Sequence, residues 1–213
     1  KINIMTDYDA KILCQDPYIF VIDDFLTDEE CEFIKEVSKD GLKLAGVSYL
    51  DKDKEKFESN YRGRTNSSNW ISKEKYPQMK KISQRIGKLM NCDYRYFEDF
   101  QVIHYKVSEE YKYHFDAYDK EEKEKYKKFC SERGNRIGTV LVYLNDVEEG
   151  GETGFDSIHP SGEPLLVKAK KGRLVLFKNL NPDGSLNKKS RHAGLPVKKG
   201  EKWAFNLWLR ERF

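Results

Sequence analysis

The chain has 213 residues, 35% charged and 38% hydrophobic, enough to fold as one unit without a staple or a partner, so a monomer is compatible with it. Lys and Arg number 39 against 36 Asp and Glu, a net charge of +3, which argues against a strongly electrostatic nucleic-acid or anionic-membrane binder. No apolar run approaches the roughly 18 residues of a membrane span. The chain begins at Lys1 without Met, so an upstream signal or anchor is compatible with it, and no segment assigns a compartment. Cys14, Cys31, Cys92 and Cys130 form no CxxC pair, which argues against a zinc knuckle or dithiol centre and leaves their disulfide state open.

The first half mixes helix and strand. Thr27-Asp-Glu-Glu30 has the form of a capping box, and Cys31, Ile34 and Val37 follow at helical spacing. The polar stretch from Tyr49 to Asn69 reads as a long surface loop, either a lid or an ordinary solvated connection. A second amphipathic helix is expected after Pro77, with Met79, Ile82, Ile86 and Leu89 on one face. From about Phe100 the pattern turns to strands: Gln101–Val107, Ile137–Leu144, Arg173–Phe177 and Trp203–Leu209, separated by Gly150-Gly151, Asn181-Pro-Asp-Gly184 and Lys199-Gly200. A barrel or double-sheet jelly roll with the early helices packed outside is predicted. The charge-rich run from Asp119 to Arg136 is either a solvated helix or loop, or a mobile flap.

The four histidines are at 104, 114, 159 and 192. His114-Phe115-Asp116 puts an imidazole and a carboxylate on one face of an extended chain, about 6.5 Å apart along it. A third ligand from a distant strand would complete the two-histidine, one-carboxylate set that leaves positions open on non-haem Fe(II). His192, in Ser-Arg-His-Ala-Gly, is the candidate, although an HxD pair by itself is more often a surface feature than a ligand pair. Lys202 sits in a hydrophobic strand. It is either an edge residue with its head in water or the cation that holds the far carboxylate of a metal-bound dicarboxylic acid.

YKYHFDAY, GNRIGTVLVYLNDVEEGGETGF, KKGRLVLF and PDGSLNKKSRHAGLPVKKGEKWAFNLWLRER resemble the successive motifs of the prolyl 4-hydroxylases, Fe(II)- and 2-oxoglutarate-dependent dioxygenases. The resemblance is dense over about residues 98–213, and Arg64-Thr65-Asn66 resembles an earlier family stretch. It implies a mainly β fold with flanking helices: a double-stranded β-helix (jelly-roll) core over about 98–213 and a helix-containing part over about 1–97, together one domain. It implies His114, Asp116 and His192 as iron ligands, and Lys202, Tyr105 and Thr153 as contacts to 2-oxoglutarate. Tyr111, Arg136 and Trp208 match positions at the reacting proline, and Arg64 and Glu98 match peptide-contacting positions. Arg210 stands where the family commonly has histidine, which puts the peptide preference at that contact in question.

The activity so implied is hydroxylation of peptidyl proline at C4 in proline-rich or collagen-like sequences. O2 and 2-oxoglutarate are consumed, succinate and CO2 are released, and ascorbate is expected as a family cofactor. The alternatives are another 2-oxoglutarate oxygenase, such as a lysyl hydroxylase or nucleic-acid demethylase, a non-catalytic jelly-roll binding module, and a zinc hydrolase. Lys202 weighs against the first, whose members typically hold the far carboxylate with arginine. The full set of His114, Asp116, His192 and Lys202 weighs against the second. The third lacks a general-base motif and leaves the lysine unexplained.

Overall fold

In the computed structural model, which describes residues 7–59 and 61–213, Thr27 and Glu30 close the expected capping box. The Glu30 N–H donates to Thr27 Oγ1 at 3.1 Å and the Thr27 N–H to Glu30 Oε1 at 3.0 Å. Arg85 then donates to Glu30 at 3.0 Å, tying the first long helix to the second. Among the described residues the helices are α1 (Asp28–Ser38), α2 (Lys54–Ser59), α3 (Pro77–Leu89) and α4 (Lys123–Cys130). The strands are β1 (Ala10–Gln15), β2 (Tyr18–Ile22), β3 (Lys43–Leu44), β4 (Ser67–Ile71), β5 (Phe100–Tyr105), β6 (Tyr111–His114) and β7 (Arg136–Tyr143). They continue with β8 (Glu149–Gly150), β9 (Thr153–Phe155), β10 (Leu165–Val167), β11 (Leu174–Lys178), β12 (His192–Gly194), β13 (Val197–Lys199) and β14 (Lys202–Arg210).

The large sheet runs β1-β2-β11-β7-β14-β5-β4-β3, and a four-stranded sheet β10-β9-β12-β6 faces it. All the strand pairs are antiparallel, as a jelly roll requires. Period-two alternation assigns each face of the large sheet. Phe20, Val140, Val142, Leu176, Phe205 and Leu207 pack with Ile34 of α1 and Met79, Ile82 and Ile86 of α3. Their neighbours Ile19, Leu141, Tyr143, Val175, Phe177 and Ala204 pack inward with Phe155 and Val167 of the small sheet. A sheet covered on both faces is apolar nearly throughout, so any polar group on its inner face is buried among apolar neighbours.

Two expectations are corrected. The stretch from Tyr49 to Asn69 is not one loop: it holds α2, and Ser67–Ile71 is β4, paired with β5; Asn60 lies outside the described residues. Strands from before residue 97 also build the large sheet, since β2 pairs with β11 and β4 with β5, so the two-sheet core extends beyond the expected 98–213. The run from Asp119 to Arg136 contains α4. No helix among the described residues is long and apolar enough to cross a membrane.

Candidate active site

The register of the small sheet sets His192 directly opposite His114 on β12 and β6, with ring centroids 4.4 Å apart. Asp116 follows just beyond the end of β6. Its Oδ1 lies 3.2 Å from His114 Nε2 and 3.3 Å from His192 Nε2. Among the described residues this is the one cluster of three or more His, Cys, Asp or Glu side chains whose donor atoms could hold a metal, all lying within 4.8 Å of one another. His104 is apart from it, on β5, with its Nε2 2.6 Å from Glu201.

Surrounding groups aim each ligand. His114 Nδ1 donates to the Lys112 carbonyl at 2.7 Å and His192 Nδ1 to the Ser190 carbonyl at 2.9 Å. A carbonyl only accepts, so Nδ1 carries the proton and Nε2 of each ring is left free to ligate a metal. Asp116 Oδ2 accepts from Thr139 Oγ1 at 2.7 Å and from Trp208 Nε1 at 3.0 Å. Thr139 Oγ1 in turn accepts from Asn179 Nδ2 at 2.9 Å, which directs its own proton to the carboxylate. Burial alone would raise Asp116, but His192 and His114 hold it well below the usual carboxylate range. Burial and the adjacent His192 push His114 down to about 4. On His192 burial works in the opposite sense to Asp116, and the carboxylate prevails, raising it.

Lys202 opens β14, opposite Tyr105 of β5. It is 1% exposed, and among the described residues its Nζ has neither a carboxylate within ion-pair distance nor a hydrogen-bond partner. Its nearest aromatic neighbours are the rings of Tyr105 and Tyr143, 4.8 and 5.7 Å from Nζ to centroid. Burial brings its pKa down to about 8 against the opposing pull of Glu152. Thr153 shares a 2.6 Å hydrogen bond with Tyr143 OH. Among the described residues Tyr105 OH has no hydrogen-bond partner, and burial raises its pKa to about 12. Gly194 leaves room beside it: a Cβ there would lie 3.0 Å from that hydroxyl, a tight contact. Tyr105, Thr153 and Lys202 line a narrow cavity that ends on His114, Asp116 and His192.

A second, wider cavity of about 500 Å³ meets the first at Tyr111, His114, Asp116 and Trp208. Arg64 and Arg136 lie on its wall, together with Phe57, Tyr61 and Trp70. Tyr111 stacks on His114 at 3.5 Å and carries the Arg64 guanidinium 4.3 Å from its ring centroid. Arg136 lies 3.8 Å over Trp208 and is held by Glu98 at 2.7 Å. Glu98 itself does not line the cavity; it sits behind Arg136, shared with Arg210 at 2.9 Å. Arg210 also donates to the carbonyls of Phe129 and Gly134, so it braces the end of α4. The sequence reading missed Thr139, Asn179 and Tyr143. Thr139 and Tyr143 fall in a run legible only as strand, and nothing local in the sequence distinguishes Asn179.

Residues 100–210 match the model of the 2OG-Fe(II) oxygenase superfamily. The chain is 38% identical over 189 residues to prolyl 4-hydroxylase subunit alpha-1 of Gallus gallus, covering 89% of this chain and 35% of that protein. It is 33% identical over 215 residues to probable prolyl 4-hydroxylase 10 of Arabidopsis thaliana, covering 94% of this chain and 71% of that one. The 2OG complex of the viral collagen prolyl hydroxylase from Paramecium Bursaria Chlorella virus-1 superposes with a TM-score of 0.68 at 30% identity, over 93% of this chain and 98% of that one. The chain belongs to the prolyl 4-hydroxylase family of 2-oxoglutarate/Fe(II) oxygenases. It spans about a third of the chicken relative. The two imidazoles and one carboxylate suit the family's Fe(II), and an unpaired buried ammonium beside them suits the second carboxylate of its 2-oxoglutarate.

Two expected outcomes follow from this geometry. Thr139→Val removes the hydroxyl that fixes Asp116 and should weaken Fe(II) or Mn(II) binding by about 10- to 100-fold, whereas His104→Ala should leave it unchanged. Calorimetric titration with Mn(II) checks both, and equal affinity of Thr139→Val and the parent chain would refute the orienting role. Because free Lys202 loses its proton near pH 8, an anion that needs the ammonium must bring that proton back at higher pH. The affinity of the metal-loaded protein for 2-oxoglutarate should therefore be flat below that pH and fall about tenfold by about pH 9. Lys202→Arg, which keeps its charge, should not show the fall. A parent affinity independent of pH across this window would contradict the pairing.

Proposed function

We propose that this chain is a peptidyl-proline 4-hydroxylase domain, with the described residues working as one catalytic unit. The observation that carries the reading is the junction of the two cavities at His114 and Asp116. One is narrow and ends on a buried ammonium; the other is wide, aromatic and rich in N–H donors. The family and its cosubstrates account for the first cavity. The second has the chemistry of a proline-rich segment: an extended polyproline II chain makes no internal hydrogen bonds, offers its carbonyls outward and presents ring faces to aromatic walls.

Fe(II), 2-oxoglutarate and O2 together supply the oxidation of a C–H bond to C–OH, with conversion of the oxo acid to succinate and CO2. The chain's own residues do the rest. His114, Asp116 and His192 would hold the metal, and Lys202, with the hydroxyls of Tyr105 and Thr153, would hold the far end of the cosubstrate. Tyr111 and Trp208 border both cavities and would fix where a proline ring meets the metal, while Arg136, pinned by Glu98, keeps Trp208 in place. Alignment of this kind removes the entropy of positioning from the reaction. Phe57 and Tyr61 on one side and Lys125 of α4 on the other flank the wide cavity. Lys52–Glu124 at 2.7 Å and Lys128–Asp51 at 2.8 Å link these segments, so together they would cover a bound peptide and keep water out.

Incubation with Fe(II), 2-oxoglutarate, ascorbate and a panel of proline-rich and collagen-like peptides should give succinate together with a +16 Da product. Hydrolysis of that product should yield 4-hydroxyproline. A +16 Da shift on lysine alone, or on no peptide residue despite 2-oxoglutarate turnover, would overturn the proline reading.

A further inference from the structure

Gln101 lies on β5, shares the inner face of the strand with Ile103 and Tyr105, and lines the wide cavity while only 3% exposed. Two donors converge on its Oε1: Arg64 Nη2 at 3.4 Å and Asn206 Nδ2 at 3.3 Å. A guanidinium has donors and no acceptor, so turning the Gln101 amide over would set its NH2 group against another donor. Arg64 cannot swing away to allow this. Its Nε is held by Asn66 Oδ1 at 3.0 Å and its Nη1 by the Gly46 carbonyl at 2.9 Å. The amide is thus locked with Nε2 and its two N–H bonds away from Arg64 and Asn206. Among the described residues nothing accepts from Nε2. Nε2 is not sealed from solvent; Gln101 lines the wide cavity, where a ligand carbonyl can replace water as the acceptor of this free donor.

We infer that Gln101 Nε2 donates to a backbone carbonyl of the peptide, making Gln101 a specificity-determining residue for substrates that present free carbonyls. The inference rests on the peptidyl-proline reading above. A proline-rich segment fits this donor because proline has no N–H and the polyproline II backbone leaves every carbonyl available.

The test uses the full chain with Fe(II), 2-oxoglutarate and a proline-rich peptide that the parent chain hydroxylates. Gln101→Glu keeps the shape and the Arg64 contact but replaces the donors with an acceptor; Gln101→Ala removes the amide. Loss of one hydrogen bond should raise the peptide KM about 5- to 10-fold in Gln101→Ala and further in Gln101→Glu. The 2-oxoglutarate KM should stay within about twofold in both, because the lost bond is to the peptide. A scan of thioamide-substituted peptides, each weakening one carbonyl as acceptor, adds a test on the unmutated chain. Substitution at one position should raise KM there and have no such effect on Gln101→Ala. Unchanged peptide KM in both variants, or a flat thioamide scan on the parent chain if the variants do not fold, would overturn the role of Gln101 while peptide hydroxylation stands. Absence of peptide hydroxylation by the parent chain would overturn both.

Discussion

Lys202 places an ammonium on the inner face of β14, where it is 1% exposed and has the rings of Tyr105 and Tyr143 as its nearest aromatic neighbours. Burying a charge with no partner is costly, and a protein ordinarily either pairs such a group or neutralises it. Here burial shifts the group toward the neutral form without supplying a partner. The neighbours Tyr105 OH and Thr153 Oγ1 add neutral donors, not anions. The arrangement makes sense once a dianionic ligand enters with one carboxylate for the lysine and an oxo-acid end for the metal ligands at the other end of the same cavity. Folding leaves this cost unmet, and on the proposed reading binding of the cosubstrate would relieve it.

The rest of the site follows from strand geometry. On β14 Lys202, Asn206 and Trp208, all on one face, line the narrow cavity, while Trp203, Phe205, Leu207 and Leu209 pack toward the helices. Antiparallel pairing sets Lys202 against Tyr105, and the small sheet sets His192 against His114. A scaffold of two packed sheets can hold such groups to within a fraction of an ångström because shifting one strand by a residue would move every side chain to the wrong face. Asp116 lies just past β6, outside that regularity, and its carboxylate is held instead by Thr139 and Trp208 from neighbouring strands of the large sheet.

Much of this was legible in the sequence. The HxD pair, His192 ahead of a hairpin, and a lysine breaking an apolar strand are local signals of chemistry, and the capping box and the face of α3 are local signals of structure. What escaped depends on partners distant in sequence. Ser67–Ile71 reads as polar and loop-like because its pairing with β5 supplies most of what makes it a strand. Thr139 and Tyr143 have unremarkable side chains for a β run, and only the fold shows that one meets Asp116 and the other Thr153. Glu98 could be expected near the peptide, but nothing local indicated that Arg136 and Arg210 would occupy its carboxylate.

The claim on which everything else turns is that Lys202 recognises the second carboxylate of 2-oxoglutarate. Anaerobic calorimetry on the metal-loaded protein can compare 2-oxoglutarate with 2-oxopentanoate, which has the same chain length but no distal carboxylate. The account predicts that the parent chain prefers 2-oxoglutarate by about 1.5–3 kcal/mol, roughly 10- to 150-fold. In Lys202→Ala most of that preference should be lost, the hydroxyls of Tyr105 and Thr153 keeping only the remainder. A preference of the same size in Lys202→Ala would contradict it.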